Sequence, residues 1–139
     1  MFKRILVGID GSEHSYRALD YACNLAEHYG AALCLLSAYR RTSDLLGYDD
    51  YEKLLSRRKA AGQLILDEAR KRLGETGFTV EEELLEGPPA DAILKAARIR
   101  EVDLIVVGSR GRGALEGMVL GSVSSKVTQL AGCPVMVIH

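Results

Sequence analysis

Two segments of this 139-residue chain gather residue types that suit the holding of an anion. The longer runs Gly108-Ser109-Arg110-Gly111-Arg112-Gly113 and continues through Gly117 to Gly121-Ser122; the shorter is Gly8-Ile9-Asp10-Gly11-Ser12. Glycines admit positive φ and let a backbone come close to a ligand, and a serine that opens a helix stands at the positive end of its dipole, beside free N–H groups. The longer segment therefore reads as an anion cradle with phosphate as its natural occupant; a flexible surface loop is the alternative. Arg110 and Arg112 either help to neutralise such an anion or are solvated loop charges. Asp10 either contacts the ligand or caps and braces its own turn.

Better-known phosphate motifs are absent. GxxxxGK[ST] fails because the residues five beyond Gly108 and Gly111 are Gly113 and Glu116, and neither precedes a lysine. GxGxxG fails because Glu116 stands where the third glycine after Gly111-Arg112-Gly113 belongs, so NAD-type chemistry has no fingerprint here. His14, His28 and His139 have no neighbours that suggest a triad or a metal site. Arg57-Arg58-Lys59 and Arg70-Lys71-Arg72 read as the solvated face of a charged helix.

The elements that must hold the two segments follow from hydrophobic periodicity and its punctuation. Ile5 to Ile9 is a short aliphatic strand, and Ser12 caps the helix after it, with Ala18, Leu19, Ala22, Cys23, Ala26 and Tyr29 on one face and Gly30 as its stop. Ala31 to Tyr39 is a second strand, Arg40 to Asp50 a loop, and about Tyr51 to Leu73 a long helix with Leu54, Ala61, Leu64, Ile65, Ala69 and Leu73 on its apolar face. That helix carries Asp67/Lys71 and Glu68/Arg72 at the spacing of supporting ion pairs. Phe78 to Leu85, with Glu81 to Glu83, is a strand nearer the sheet's edge than its centre, and Gly87-Pro88-Pro89 opens a third helix bearing Ile93, Leu94, Ala96 and Ala97. Leu104 to Val107 has no polar alternation, as a strand buried on both faces requires. Val123, Val127, Leu130 and Ala131 share a face of a fourth helix, and Val135 to Ile138 closes the series. Strict β/α alternation predicts an α/β fold, a doubly wound parallel sheet with helices on both faces. In such sheets ligands bind beyond the carboxyl ends of the strands, where the winding reverses, and that is where both segments fall.

Composition bounds the rest. The net charge of -1, with 18 Lys+Arg against 19 Asp+Glu, lacks the positive field that draws nucleic acid, so no nucleic-acid partner is expected. The apolar run before Gly8 is too short for the core of a signal peptide and no stretch reaches the length of a membrane span, so a cytoplasmic protein without membrane attachment is expected. Cys23, Cys34 and Cys133 form no CxxC pair and read as small hydrophobes of a reducing compartment. Residues 1–139 read as a single domain.

Gly108-x2-Gly111-x9-Gly121-Ser122 resembles the Gly-x2-Gly-x9-Gly-[Ser/Thr] pattern of the ATP-binding members of the universal stress protein (UspA-like) family. The opening strand with Asp10-Gly11-Ser12, the Gly87-Pro88-Pro89-Ala90 turn, the Leu104 to Val107 strand and the Cys133-Pro134-Val135-Met136-Val137-Ile138 ending are similar too, so the resemblance covers essentially the whole chain. It implies a five-stranded parallel sheet in order 3-2-1-4-5, of the adenine nucleotide alpha hydrolase-like kind, with ATP above the junction of the first and fourth strands. Carried over, Asp10 lies by the ribose and adenine, Ala38 by the base, and Gly108, Gly111, Gly121 and Ser122 hold ribose and phosphates, with Val107, Arg110, Val123 and Ser124 beside them. The metal expected with ATP is Mg²⁺ or Mn²⁺ held mainly by the phosphates, and the sequence shows no protein cage for it.

The function so implied is that of a nucleotide-dependent regulatory module in the stress response, acting on an unidentified protein partner. It is expected to work as a homodimer paired through Val135 to Ile138, an apolar strand at an open edge. Two alternatives stand beside it. One is a slow ATPase or nucleotidyl-transfer enzyme on the same fold, for which no catalytic residue is assigned, since there is no P-loop lysine, no general base and no SGGxDS pattern. The other is a dimeric scaffold with no ligand.

Overall fold

The computed structural model of the chain describes residues 1–43, 45, 47–111 and 120–139. Five strands, β1 (Arg4–Gly8), β2 (Ala32–Tyr39), β3 (Val80–Glu86), β4 (Leu104–Gly108) and β5 (Val135–Ile138), form one sheet in the order β3-β2-β1-β4-β5, every neighbouring pair parallel. The helices α1 (Glu13–Tyr29), α2 (Tyr48–Leu73), α3 (Pro89–Ile99) and α4 (Ser122–Leu130) alternate with them. The winding reverses at β1, which pairs with β2 on one side and β4 on the other, so the ends of β1 and β4 open into a common crevice.

Strand periodicity sorts the core into two layers. Ile5 and Val7 of β1, with Leu33, Leu35, Leu104 and Val106, face Ala18, Leu19, Ala22 and Ala26 of α1 and Leu66 and Ala69 of α2. Leu6, Leu36, Ile105 and Val107 face Ala92, Ile93 and Ala96 of α3 and Val127 of α4. The aliphatic strands β1 and β4 are buried on both faces because helices cover both. Caps fix where the helices begin and stop. Ser12 Oγ accepts the Ser15 N–H at 3.2 Å at the start of α1, and Gly30 ends it at φ 66°, a conformation that favours glycine. Pro89 is the first residue of α3, where its missing N–H removes no intrahelical bond.

Several local expectations change. α2 begins at Tyr48, not near Tyr51, because Gly47 serves as N-cap without a side-chain bond and leaves no polar signal in the sequence. Its buried face is Gly62, Leu66 and Ala69, with Ile65 and Leu73 packed beside them; of the expected face Ile65, Ala69 and Leu73 thus meet the core, whereas Leu64 is 65% exposed, and Gly62, with no Cβ, is what meets Leu84 of β3. The two anticipated pairs are redirected: Arg72 donates to Asp20 of α1 at 2.8 and 2.9 Å, and Lys71 approaches Glu68 at 3.6 Å. Arg72 holds the Asp20 carboxyl below the usual range through those hydrogen bonds. Both side chains are about half exposed, so the pair is worth about 0–1 kcal/mol. On α4, Val127 is buried while Leu130 is exposed. The acidic strand β3 is an edge, as expected, with Glu81 and Glu83 on Arg100 and Glu82 on Arg70.

Cys34 is buried, and burial pushes its thiol up to about 11; Cys23 and Cys133 are half-buried and raised too, by burial first. Cys34 is therefore a protonated core group at neutral pH, unreactive as a nucleophile. In the native protein a thiol-disulfide reagent should modify Cys23 and Cys133 first and reach Cys34 only in denaturant, checked by mass spectrometry of the labelled peptides.

Gly108 is where α1 comes closest to the sheet: a Cβ there would stand 2.9 Å from the His14 carbonyl carbon and 3.0 Å from its oxygen. Backbone atoms cannot swing aside as a side-chain tip does. Gly108→Ala should therefore cost about 1–3 kcal/mol as overpacking, read as a lower urea midpoint at unchanged slope. An unchanged midpoint would show that α1 is free to shift.

Candidate functional site

β4 ends at Gly108, and the next residue organises the site through its main chain. Ser109 N–H donates to the Ile138 carbonyl at 2.7 Å, while the Ser109 carbonyl accepts the Gly121 N–H at 2.6 Å and the Ser124 hydroxyl at 2.9 Å. One carbonyl thus ties the start of α4 to the end of β4. Ser124 is buried, and its hydroxyl also lies 3.2 Å from the Gly121 carbonyl. Among the described residues the buried Ser109 hydroxyl has no hydrogen-bond partner.

The consequence falls on the first turn of α4. Helix geometry leaves the N-cap and first three N–H groups without intrahelical acceptors. Gly121 is the N-cap, and its N–H is spent on Ser109; the Ser125 N–H takes the Gly121 carbonyl at 3.0 Å. Ser122, Val123 and Ser124 supply the remaining three donors. Unlike Ser12 on α1, Gly121 caps nothing with a side chain, and no acidic residue stands in the first turn. Among the described residues, no side chain caps the positive end of this helix.

At the end of β1, Asp10 accepts the Ser12 N–H at 2.9 Å through Oδ1, and its own N–H approaches the Ser15 hydroxyl at 3.4 Å. Asp10 therefore braces the turn into α1. Its other oxygen, Oδ2, lies against Gly111, where a Cβ would collide with it, so the two glycine-bearing turns meet at that point.

All ten residues assigned to the site from the sequence border one cavity of about 710 Å³: Asp10 from the first turn, Ala38 from β2, Val107 and Gly108 from β4, Arg110 and Gly111 after it, and Gly121, Ser122, Val123 and Ser124 at the start of α4. Three of them also serve the fold itself. Gly108 is required for the approach of α1, the Gly121 N–H is occupied by Ser109, and the Ser124 hydroxyl points at main-chain carbonyls. Arg112, Gly113 and Gly117 lie outside the described residues.

The cavity also has walls that local spacing did not disclose. Leu36 of β2, Ile93 of α3 and Ile65 of α2 give it an apolar side, with Tyr39, Ala61 and Gly62 nearby. Arg40 and Arg58 join Arg110 on its border, so its described lining carries three arginines against the single carboxylate of Asp10. Within a chain of net charge -1, the described border of this hollow is thus locally positive. Among the described residues no group of three or more His, Cys, Asp or Glu is arranged to hold a metal, and no helix is long and apolar enough to cross a membrane. A second hollow of about 260 Å³, bordered by Arg4, Cys34, Glu81 and Arg100, lies at the opposite, amino-terminal end of the strands.

The same chain can be set beside known proteins. The model of the universal stress protein family matches residues 1–139. Over 140 residues the chain is 42% identical to the universal stress protein in the QAH/OAS sulfhydrylase 3′ region of Thermus aquaticus, with 100% of both chains covered. The solved structure of universal stress protein UspA from Lactobacillus plantarum superposes with a TM-score of 0.87 at 27% identity, covering 99% of this chain and 97% of that one. A universal stress protein solved in complex with cAMP superposes with a TM-score of 0.77 at 33% identity, over 99% and 97% of the two chains. With its parallel sheet in order β3-β2-β1-β4-β5 and a family match along its whole length, this chain belongs to the universal stress protein family.

Proposed function

We propose that the cavity binds an adenine nucleotide, ATP foremost, and that the protein is a nucleotide-dependent regulatory module. The observation that carries this reading is the joining, in one hollow of about 710 Å³, of an apolar side to a helix N-terminus with no side-chain cap and no acid in its first turn. A nucleotide has the matching polarity. Its base presents flat aromatic faces to the end bordered by Leu36, Ala38, Ile65 and Ile93; its phosphates are the anions for the N–H groups of Ser122, Val123 and Ser124 and for Arg110. A hollow of this size is within the range of roughly 300–1,000 Å³ usual for small-molecule sites. The complex of a family member with cAMP supports the ligand class.

The residues present fit the phosphates of ATP better than they fit its metal. One helix N-terminus contributes about 0.3–1 kcal/mol per exposed charge, so several donors must act together. A divalent cation, Mg²⁺ or Mn²⁺, held by the phosphates themselves completes the neutralisation in this reading. Asp10 serves in shaping the turn rather than in chemistry, as its bond to the Ser12 N–H supports. The regulatory part of the proposal is a population shift: nucleotide favours one arrangement of the site, and a partner, a second copy through the β5 edge or another protein, reads the difference. β5 is an edge strand whose Val135, Met136 and Val137 are only partly buried, which is the property a paired copy would use.

Calorimetric titration with ATP tests the reading: we expect saturable binding near one nucleotide per chain, and a flat titration would reject it. Ser122→Asp sharpens the test because it moves two quantities in opposite directions. Ser122 is exposed in a first turn that lacks an acid, so an aspartate there should stabilise the fold by about 0.3–1 kcal/mol. It should also weaken ATP by at least about tenfold, since like charges about 4 Å apart repel by roughly 4 kcal/mol near a protein surface. A stabilised variant with wild-type affinity would place the phosphates elsewhere.

A further inference from the structure

Arg58 comes from the middle of α2, far in sequence from both glycine segments, and borders the same cavity. One nitrogen of its guanidinium, Nη1, donates to the Arg41 carbonyl at 2.6 Å and lies 3.4 Å from both the Arg40 carbonyl and Thr42 Oγ1. These three consecutive residues are the first after β2, whose last residues, Ala38 and Tyr39, form part of the cavity wall. Here the chain leaves the sheet and its ladder bonds end, yet Thr42 is only 6% exposed. One turn further on, Gly62 brings α2 against Leu84 of β3, where a Cβ would stand 2.5 Å from Leu84 Cδ1.

A planar guanidinium on a fixed helix, gathering successive acceptors of a departing strand, is a clasp. What it holds is the wall by Ala38, at the apolar end of the cavity, while the α4 amides serve the other end. We propose that Arg58 is a positioning residue for the base of the nucleotide: it fixes the segment after β2 so that this wall is formed before the ligand arrives. The inference rests on the nucleotide reading of the cavity. It separates the two ends of the site, since losing the clasp loosens the base wall and leaves the phosphate donors on α4 in place.

Arg58→Gln, Arg58→Lys and wild type decide it, with ATP and inorganic tripolyphosphate as probes. Hydrogen exchange on the ligand-free proteins should show residues 39–42 exchanging faster in Arg58→Gln and β4 unchanged. We expect ATP to bind Arg58→Gln about tenfold more weakly or worse, tripolyphosphate to lose only about threefold or less, the share of one charge on the cavity border, and Arg58→Lys to recover part of the loss, since an ammonium can still reach a carbonyl. Unchanged ATP affinity, unchanged exchange at residues 39–42, or an equal loss of ATP and tripolyphosphate would each overturn the proposal, the last by making Arg58 a phosphate ligand. Wild type that takes up no ATP would remove the nucleotide reading itself, whereas wild type that binds ATP beside an indifferent Arg58→Gln removes only the clasp.

Discussion

The Ser109 carbonyl accepts two hydrogen bonds from the far side of the β4–α4 connection, the Gly121 N–H at 2.6 Å and the Ser124 hydroxyl at 2.9 Å, and most of the site depends on that junction. A carbonyl has two lone pairs, and here both are used to bring a helix start against a strand end. The N-cap amide of α4 is thereby satisfied from within, which lets the three amides after it remain as a group at the edge of the cavity. The strand end is held in turn by the bond from Ser109 N–H to Ile138, so β5, β4 and α4 are tied together through one residue. Gly108 completes the arrangement by letting α1 close against the strand immediately before it. The described glycines of the pattern thus share one physical role: Gly108, Gly111 and Gly121 each permit a close approach of other parts of the protein.

Much of this was legible in the sequence, and the legible parts share a cause. The unbroken aliphatic runs Ile5 to Val7 and Leu104 to Val107 can satisfy burial on both faces only as inner strands of a covered parallel sheet, and Ser12 and Gly30 mark both ends of α1 by local chemistry alone. Most of the residues expected from the sequence to border the cavity are clustered: seven of the ten sit in the turns after β1 and β4 or at the start of α4, while Ala38, Val107 and Gly108 lie in strands. The parts that were not legible depend on contacts across the fold. α2 starts earlier than its composition suggests because a glycine N-cap carries no side-chain signature. Its face includes Ile65, Ala69 and Leu73 as the spacing suggests, but it centres on Gly62 against Leu84, with Leu66 buried and Leu64 not.

The basic triplets show the same limit. By composition they are a solvated face, but Arg58 reaches the segment after β2, Arg70 pairs with Glu82 of β3, and Arg72 pairs with Asp20 of α1. Each target is 10 or more residues away in sequence, and only tertiary proximity assigns it. Ile65 and Ile93 join the cavity for the same reason, one from each helical layer. The only local hint of this second wall was Gly62, a helix-interior glycine whose cost of about 1 kcal/mol relative to alanine calls for a packing reason.

The charge distribution connects the fold to its proposed use. Overall charge is nearly balanced, with Glu81, Glu82 and Glu83 of β3 paired to Arg100 and Arg70 at one edge of the sheet, while three arginines and the three first-turn residues of α4 border the hollow at the switch point. Amide resonances of Ser122, Val123 and Ser124, followed by NMR as ATP is added, report on that convergence most directly. If the phosphates seat on α4, these three resonances shift with saturation while that of Gly121, bonded to Ser109, stays hydrogen-bonded. Saturating ATP that leaves all three where they were would contradict the anion role of the α4 N-terminus.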